Sequence, residues 1–202
     1  MVERNSGRKA ALERLKKHSN QRRKDIDAKA TGQSVARETD RGSVILLGAI
    51  VEDALQEKIE ERFGSLNADE NERLFGPDAP IGSFSAKIRL AQALEIIDRE
   101  TATICHVLRE MRNACAHSRN PISFADEVLR DAARVIFRAI ANEPENPKYT
   151  QPDSCRRNLV VCVHYLCRLI DTGDKGVAAD HTNEALFEVT GGRIGSSPEK
   201  RK

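Results

Sequence analysis

The chain is 202 residues long and almost charge-balanced, with 33 Lys+Arg against 31 Asp+Glu and a formal net charge of +2. Aromatics make up only 4% and Trp is absent, which argues against a sandwich or barrel, whose strands draw on β-branched and aromatic alternation. The longest apolar run, 44–51 with Gly48 inside it, falls far short of the roughly 18 to 20 residues that cross a bilayer, so one soluble domain with tails is expected.

Positive charge collects at the start. Residues 1–30 hold ten Lys/Arg against four acids, so the remainder is net acidic. Ala11, Leu12 and Leu15 give this stretch only a thin apolar stripe, too little to bury by itself. Residues 1–37 are expected to form a basic helical or flexible arm, either a solvated tail or an electrostatic arm for RNA or DNA. In the second case Arg14, Lys16, Lys17, Arg22, Arg23 and Lys24 would meet phosphates, with steep salt dependence. The charged N-terminus lacks the apolar segment of a secretory signal, and a cytoplasmic protein is expected.

From Asp40 the pattern becomes helical: Val44, Leu47, Val51, Leu55 and Ile59 recur at three-to-four spacing up to Gly64. Residues 64–82, rich in Gly, Pro, Asn and Asp, predict a connecting loop with at most one short helical turn. Ser83 or Ser85 can cap the next helix, whose stripe is Phe84, Ile88, Ala91, Leu94 and Ile97. Asp98 offers a cap for a helix over 99–117, with Ile104, Val107, Leu108, Met111 and Cys115 on one face and His106, Glu110, Asn113 and His117 on another. Pro121 breaks it. Ser123 then predicts a further helix cap, with Asp126 and Glu127 in the first turn and a stripe of Val128, Leu129, Ala132, Val135, Ile136 and Ile140. After the Pro-rich 143–153, an apolar helix is expected from about Ser154 to Ile170, and a disordered tail over 172–202.

These patterns predict an all-α bundle of about five core helices over residues 38–171. The five cysteines (Cys105, Cys115, Cys155, Cys162, Cys167) are odd in number and lack a C-x-x-C pair, which suits reduced, buried thiols. Neither disulfides, nor a metal site, nor a cofactor is expected.

Three strings in order, DRGSVILLGAIVEDAL, LFGPDAPIGSFSAKIRLAQALEII and LREMRNACAHS, resemble the mannitol-operon repressor family over roughly residues 38–141. The resemblance implies a compact all-α domain and a transcriptional regulator that lacks a recognisable DNA-binding motif and acts through protein partners. No helix pair in the sequence carries the short Gly-containing turn and polar recognition helix of a helix-turn-helix. The chain has Cys115 where members commonly carry an aromatic.

The run Arg112, Asn113, Ala114, Cys115, Ala116, His117 also resembles the R-x4-H motif of the HEPN superfamily, many of whose members cleave RNA. That resemblance implies a metal-independent endoribonuclease of toxin or defence type. His117 would move the proton, Arg112 would stabilise the phosphorane and Asn113 would orient the phosphate. On a regular helix, Arg112 and His117 lie roughly 140° apart, so convergence requires a frayed helix end or a homodimer pooling two motifs. The alternative is structural: Arg112 pairs with Asp53, Glu52 or Asp40, and His117 faces the carbonyls ending its own helix. Asp40, Arg41, Asp53, His106 and Glu110 complete the candidate polar cluster.

Overall fold

The computed structural model describes residue 14, residues 28–141 and 151–176, and residue 178. Every regular element among them is helical: α1 (Ala28–Ala36), α2 (Asp40–Phe63), α3 (Ala68–Phe75), α4 (Phe84–Ala93), α5 (Arg99–His117), α6 (Glu127–Ala141) and α7 (Pro152–Thr172). Helix α2 packs on α5, α5 on α6, α6 on α7, and α7 returns to α2. This closed ring of four helices is covered by α4 over α2 and α5, and by α1 over α2 and α7. The all-α bundle expected from periodicity is the fold observed.

Local chemistry explains where the elements start. Thr39 accepts the Gly42 N–H to open α2, and Asn67 with Glu70 forms a reciprocal capping box on α3. Ser83 opens α4 by accepting the Ala86 N–H at 3.1 Å. Asp98 opens α5 by accepting the Thr101 N–H at 2.8 Å. Helix α7 stops at Gly173, which takes the left-handed conformation and donates its N–H to the Leu169 carbonyl. The core these helices enclose is mostly aliphatic, with Leu47, Leu55, Ile88, Leu108, Ile136, Leu159 and Leu166 fully buried, each contributing about 1.5–3 kcal/mol.

Three expectations need correction. The 64–82 connection contains a full two-turn helix, α3, because the capping box nucleates it and Phe75 buries itself edge-on to Phe63 at 6.2 Å. Ser123 does not cap α6. The Asp126 carboxylate accepts the Ser123 N–H at 2.8 Å, and the helix begins one residue later at Glu127. Val128 and Val135, placed in the buried stripe by periodicity, are exposed, while Ala133 and Phe137 take the core positions. At the two ends, α1 lies within residues 1–37 and buries Thr31 and Val35, and Ala178, beyond residue 171, is buried as well. Lys16, Lys17, Arg22, Arg23 and Lys24, and the tail beyond residue 178, lie outside the described residues; Arg14 is helical and exposed.

All five cysteines are buried and none of them forms a disulfide. Burial pushes the Cys105 and Cys162 thiols up to about 12 and raises Cys167 further still. Desolvation also raises Cys115 and Cys155. Since the thiolate is the reactive form, a disulfide-exchange reagent at neutral pH should label none of the five in the native protein and all of them in denaturant; rapid native labelling would contradict this packing. A second test concerns Asp98, whose carboxyl is held below its usual range by hydrogen bonds from Thr101 and by the Lys175 ammonium. Its contribution is therefore full above the ordinary carboxylate value and lost as pH falls through the lowered one. Asp98→Ala should cost about 1 kcal/mol in urea unfolding at neutral pH, a difference that shrinks on acidification.

Candidate functional site

Lys87 lies on α4 at the third position after Phe84 and four before Ala91, within the stripe that faces the core, and its side chain is only 6% exposed. A buried ammonium is costly unless paired. The partner is Glu52 of α2, whose Oε1 accepts from the Lys87 Nζ at 2.9 Å and whose side chain is 13% exposed. The other oxygen of that carboxylate, Oε2, meets the Arg112 guanidinium of α5 at 3.2 Å. One carboxylate thus joins three helices. Gly48, one turn before Glu52, makes room for this: a Cβ there would stand 3.0–3.2 Å from the Arg112 stem, so the arginine lies flat along α2 on its way to Glu52.

The remaining candidates are drawn to different partners. Asp40, at the first residue of α2, accepts from the Arg156 Nε of α7 at 3.0 Å and from the Phe124 N–H at 3.0 Å. Arg41 reaches the opposite way and donates to the Ala116 carbonyl at the end of α5 at 3.0 Å. That carbonyl is one of the groups a helix leaves open at its C-terminus, and Arg41 takes it. His117 is the exposed last residue of α5, and Asn113, on the same face one turn earlier, is half-buried. No hydrogen bond to another described residue holds either side chain. Asp53 is exposed on α2, and its charge is among those that raise the Cys167 thiol.

His106 is half-buried on the same α5 face. Its imidazole is held below its ordinary pKa by burial and by the Arg109 and Arg89 cations, partly countered by Glu110. Arg109 is itself bonded to Glu110. Of the cluster expected from the sequence, Arg112 and Arg41 anchor to α2 and α5, Asp40 anchors to α7, and His106, Glu110, Asn113 and His117 line the outer face of α5. Lys87 was absent from the candidate cluster. Its signal was present all the same, since a lysine in register with Phe84, Ile88 and Ala91 demands a buried carboxylate.

Chemically, the α5 face offers the exposed imidazole of His117 and an arginine that is one-third exposed but already faces a carboxylate. A guanidinium shared with Glu52 is a weaker partner for a developing oxyanion than an unshared one, because the carboxylate offsets its field.

No family model matches the chain, and no curated protein matches it. Among solved structures, the chain is similar to a chain of the MtlR–HPr complex from Escherichia coli, with a TM-score of 0.55 and 19% identity, covering 70% of this chain and 98% of that one. At that identity the likeness is one of fold, and it extends over nearly all of the neighbour.

Glu52→Gln should leave Lys87 buried without its counter-charge and lower unfolding stability by about 3–5 kcal/mol. Replacing both groups by apolar ones, as in Lys87→Met with Glu52→Leu, should recover most of that loss, because Arg112 can turn to solvent. Equal stabilities for wild type and Glu52→Gln in urea would show that the triad does not hold the helices.

Proposed function

We propose that this protein is a cytoplasmic, MtlR-like regulatory protein that acts by docking another protein and has no catalytic step of its own. The observation that carries the reading is the ion triad: it commits Arg112, the arginine of the R-x4-H string, to tying α5 onto α2. The string is then a structural clamp that leaves His117 and Asn113 on an outer face available for contacts. The fold likeness to a chain held in a complex with HPr supports a protein as the partner, and HPr is the first candidate to try.

A direct role in DNA grooves finds little support in the helix arrangement. The junction between α1 and α2 is three residues long, but it leads into α2, which packs against α1, α4, α5 and α7 and cannot enter a groove. No helix among the described residues is long and apolar enough to cross a membrane, which agrees with a regulator that meets its partner in solution. Arm-driven binding of RNA or DNA through residues 1–30 is a separate reading, and deleting the arm tests it through the salt dependence of binding.

The enzyme reading keeps one supporting observation, the exposed His117 five residues after Arg112. Both readings are tested together by titrating the full chain with HPr in a calorimeter and by incubating wild type and His117→Ala with mixed RNA in EDTA. The regulator reading expects saturable binding and intact RNA. Cleavage to cyclic-phosphate ends by wild type, lost in a His117→Ala variant whose circular dichroism is unchanged, would overturn it in favour of a metal-independent endoribonuclease.

A further inference from the structure

Helix α6 buries Leu129, Ala133, Ile136 and Phe137 on one face, yet it carries a second apolar stripe beside the first. Val128, Ala132, Val135 and Ala139 recur at spacings of four, three and four and so align along one line of the helix. Two of them stand open, Val128 at 77% and Val135 at 47% exposure, while Ala132 and Ala139 are half-buried. Single exposed apolar residues are ordinary, but two valines aligned two turns apart, with Ala132 between them and Ala139 one turn beyond, form a strip suited to close helix contact.

The charges beside this strip are ordered. On its outer flank run Glu127, Asp131, Arg134 and Arg138, two acids in the first half of the helix and two bases in the second. When two identical helices pack antiparallel about a two-fold axis, each flank meets the same flank of its partner with the direction reversed. The order acid, acid, base, base then becomes self-complementary. With the axis near Ala132, Val128 comes to lie against the partner's Val135, Asp131 against the partner's Arg134, and Glu127 against the partner's Arg138. Within one chain, Asp131 and Arg134 already pair at 2.5 Å, so these two would exchange or share partners across the axis. Glu127 and Arg138 stand eleven residues apart, about 16 Å along the helix, so the two can meet only across the axis, where Arg138 would add Glu127 of the other copy to the interaction it already makes within its own.

We propose that the outer strip of α6 is a homodimer interface in which two copies pair antiparallel through Val128, Ala132 and Val135, with Glu127 of each facing Arg138 of the other. The pairing goes beyond the partner-docking reading and does not depend on it. It also differs from a dimer built to pool two R-x4-H strings, because it uses α6 and not α5.

Sedimentation equilibrium of the full chain, with variants checked by circular dichroism, tests it. Wild type should sediment as a dimer at micromolar concentration. Val128→Lys should weaken that dimer by about tenfold or more, as a charge placed in the seam of a helix pair does. Glu127→Lys and Arg138→Glu should each weaken it by placing like charges opposite one another, and the two together should restore it, since the swapped pair is again complementary. A wild type that stays monomeric, a dimer indifferent to Val128→Lys, or charge reversals whose effects merely add would overturn the proposal. So would dimerisation that appears only after residues 1–27 are deleted, because the strip would then be the seat of the chain's own N-terminal segment.

Discussion

The carboxylate of Glu52 is the point on which the bundle depends. An ammonium inside an aliphatic core is stable only when a counter-charge lies within hydrogen-bonding reach, and Lys87 has Glu52 at 2.9 Å. The same carboxylate takes Arg112 on its second oxygen, so α2, α4 and α5 are held in one relative register and not merely pressed together. Apolar packing alone tolerates sliding between helices; a two-sided ion contact does not. Gly48 completes the arrangement by clearing the path of the Arg112 stem. The three strings that carry the resemblance to the mannitol-operon repressor family each supply one member of the triad: Glu52 from the first, Lys87 from the second and Arg112 from the third.

A second set of contacts fixes the other end of α2. Neighbouring residues divide the work: Asp40 binds Arg156 of α7 and the Phe124 N–H, and Arg41 closes the C-terminus of α5 through the Ala116 carbonyl. Because residues one apart on a helix point about 100° from each other, a single turn reaches two different neighbours. The outcome for the candidate site is positional. His117 sits at an α5 terminus pinned by Arg41, and the following 118–126 connection is pinned at Phe124 by Asp40. A partner that contacts His117 and Asn113 therefore meets a surface already set in place.

Much of this was legible in the sequence. Periodicity located α2, α4, α5 and α7 because each has one dominant apolar face, and Ser83 and Asp98 marked helix starts through their hydrogen-bonding chemistry. The misreadings share a physical origin. On α6 two apolar stripes run side by side, so periodicity alone could not say which one faces inward; Val128 and Val135 went to the core and Phe137 was missed. In 64–82, turn-forming residues outweighed the capping box of Asn67 and Glu70. At the site, Arg112 had three acidic candidates on one helix, Asp40, Glu52 and Asp53, and only packing could select Glu52 over its neighbour Asp53. These two are adjacent in the chain, yet the Glu52 side chain is largely buried and Asp53 is exposed. Lys87 was passed over because charged residues are ordinarily assigned to the solvent side, although its register with Phe84 and Ala91 placed it inside.

The ring closes through contacts of very different span, and this bears on how the chain reaches its native state. Glu52 and Lys87 are separated by 35 residues, whereas Asp40 and Arg156 are separated by 116. Bringing the second pair together costs about 1 kcal/mol more in chain entropy than the first if nothing else is formed. That penalty falls away once α2, α4 and α5 have already condensed, since the remaining loop is then measured from a formed surface. The short-range part of the bundle is thus the natural nucleus, and α7 is the element that docks late. During synthesis, α2 to α5 can settle before α7 has left the ribosome, leaving open the groove along α2 that α7 will fill. A growing chain held at that stage would display Val44, Leu47, Val51 and Leu55 on an unfinished surface, so the interval before α7 arrives is when this protein is most exposed to misassociation.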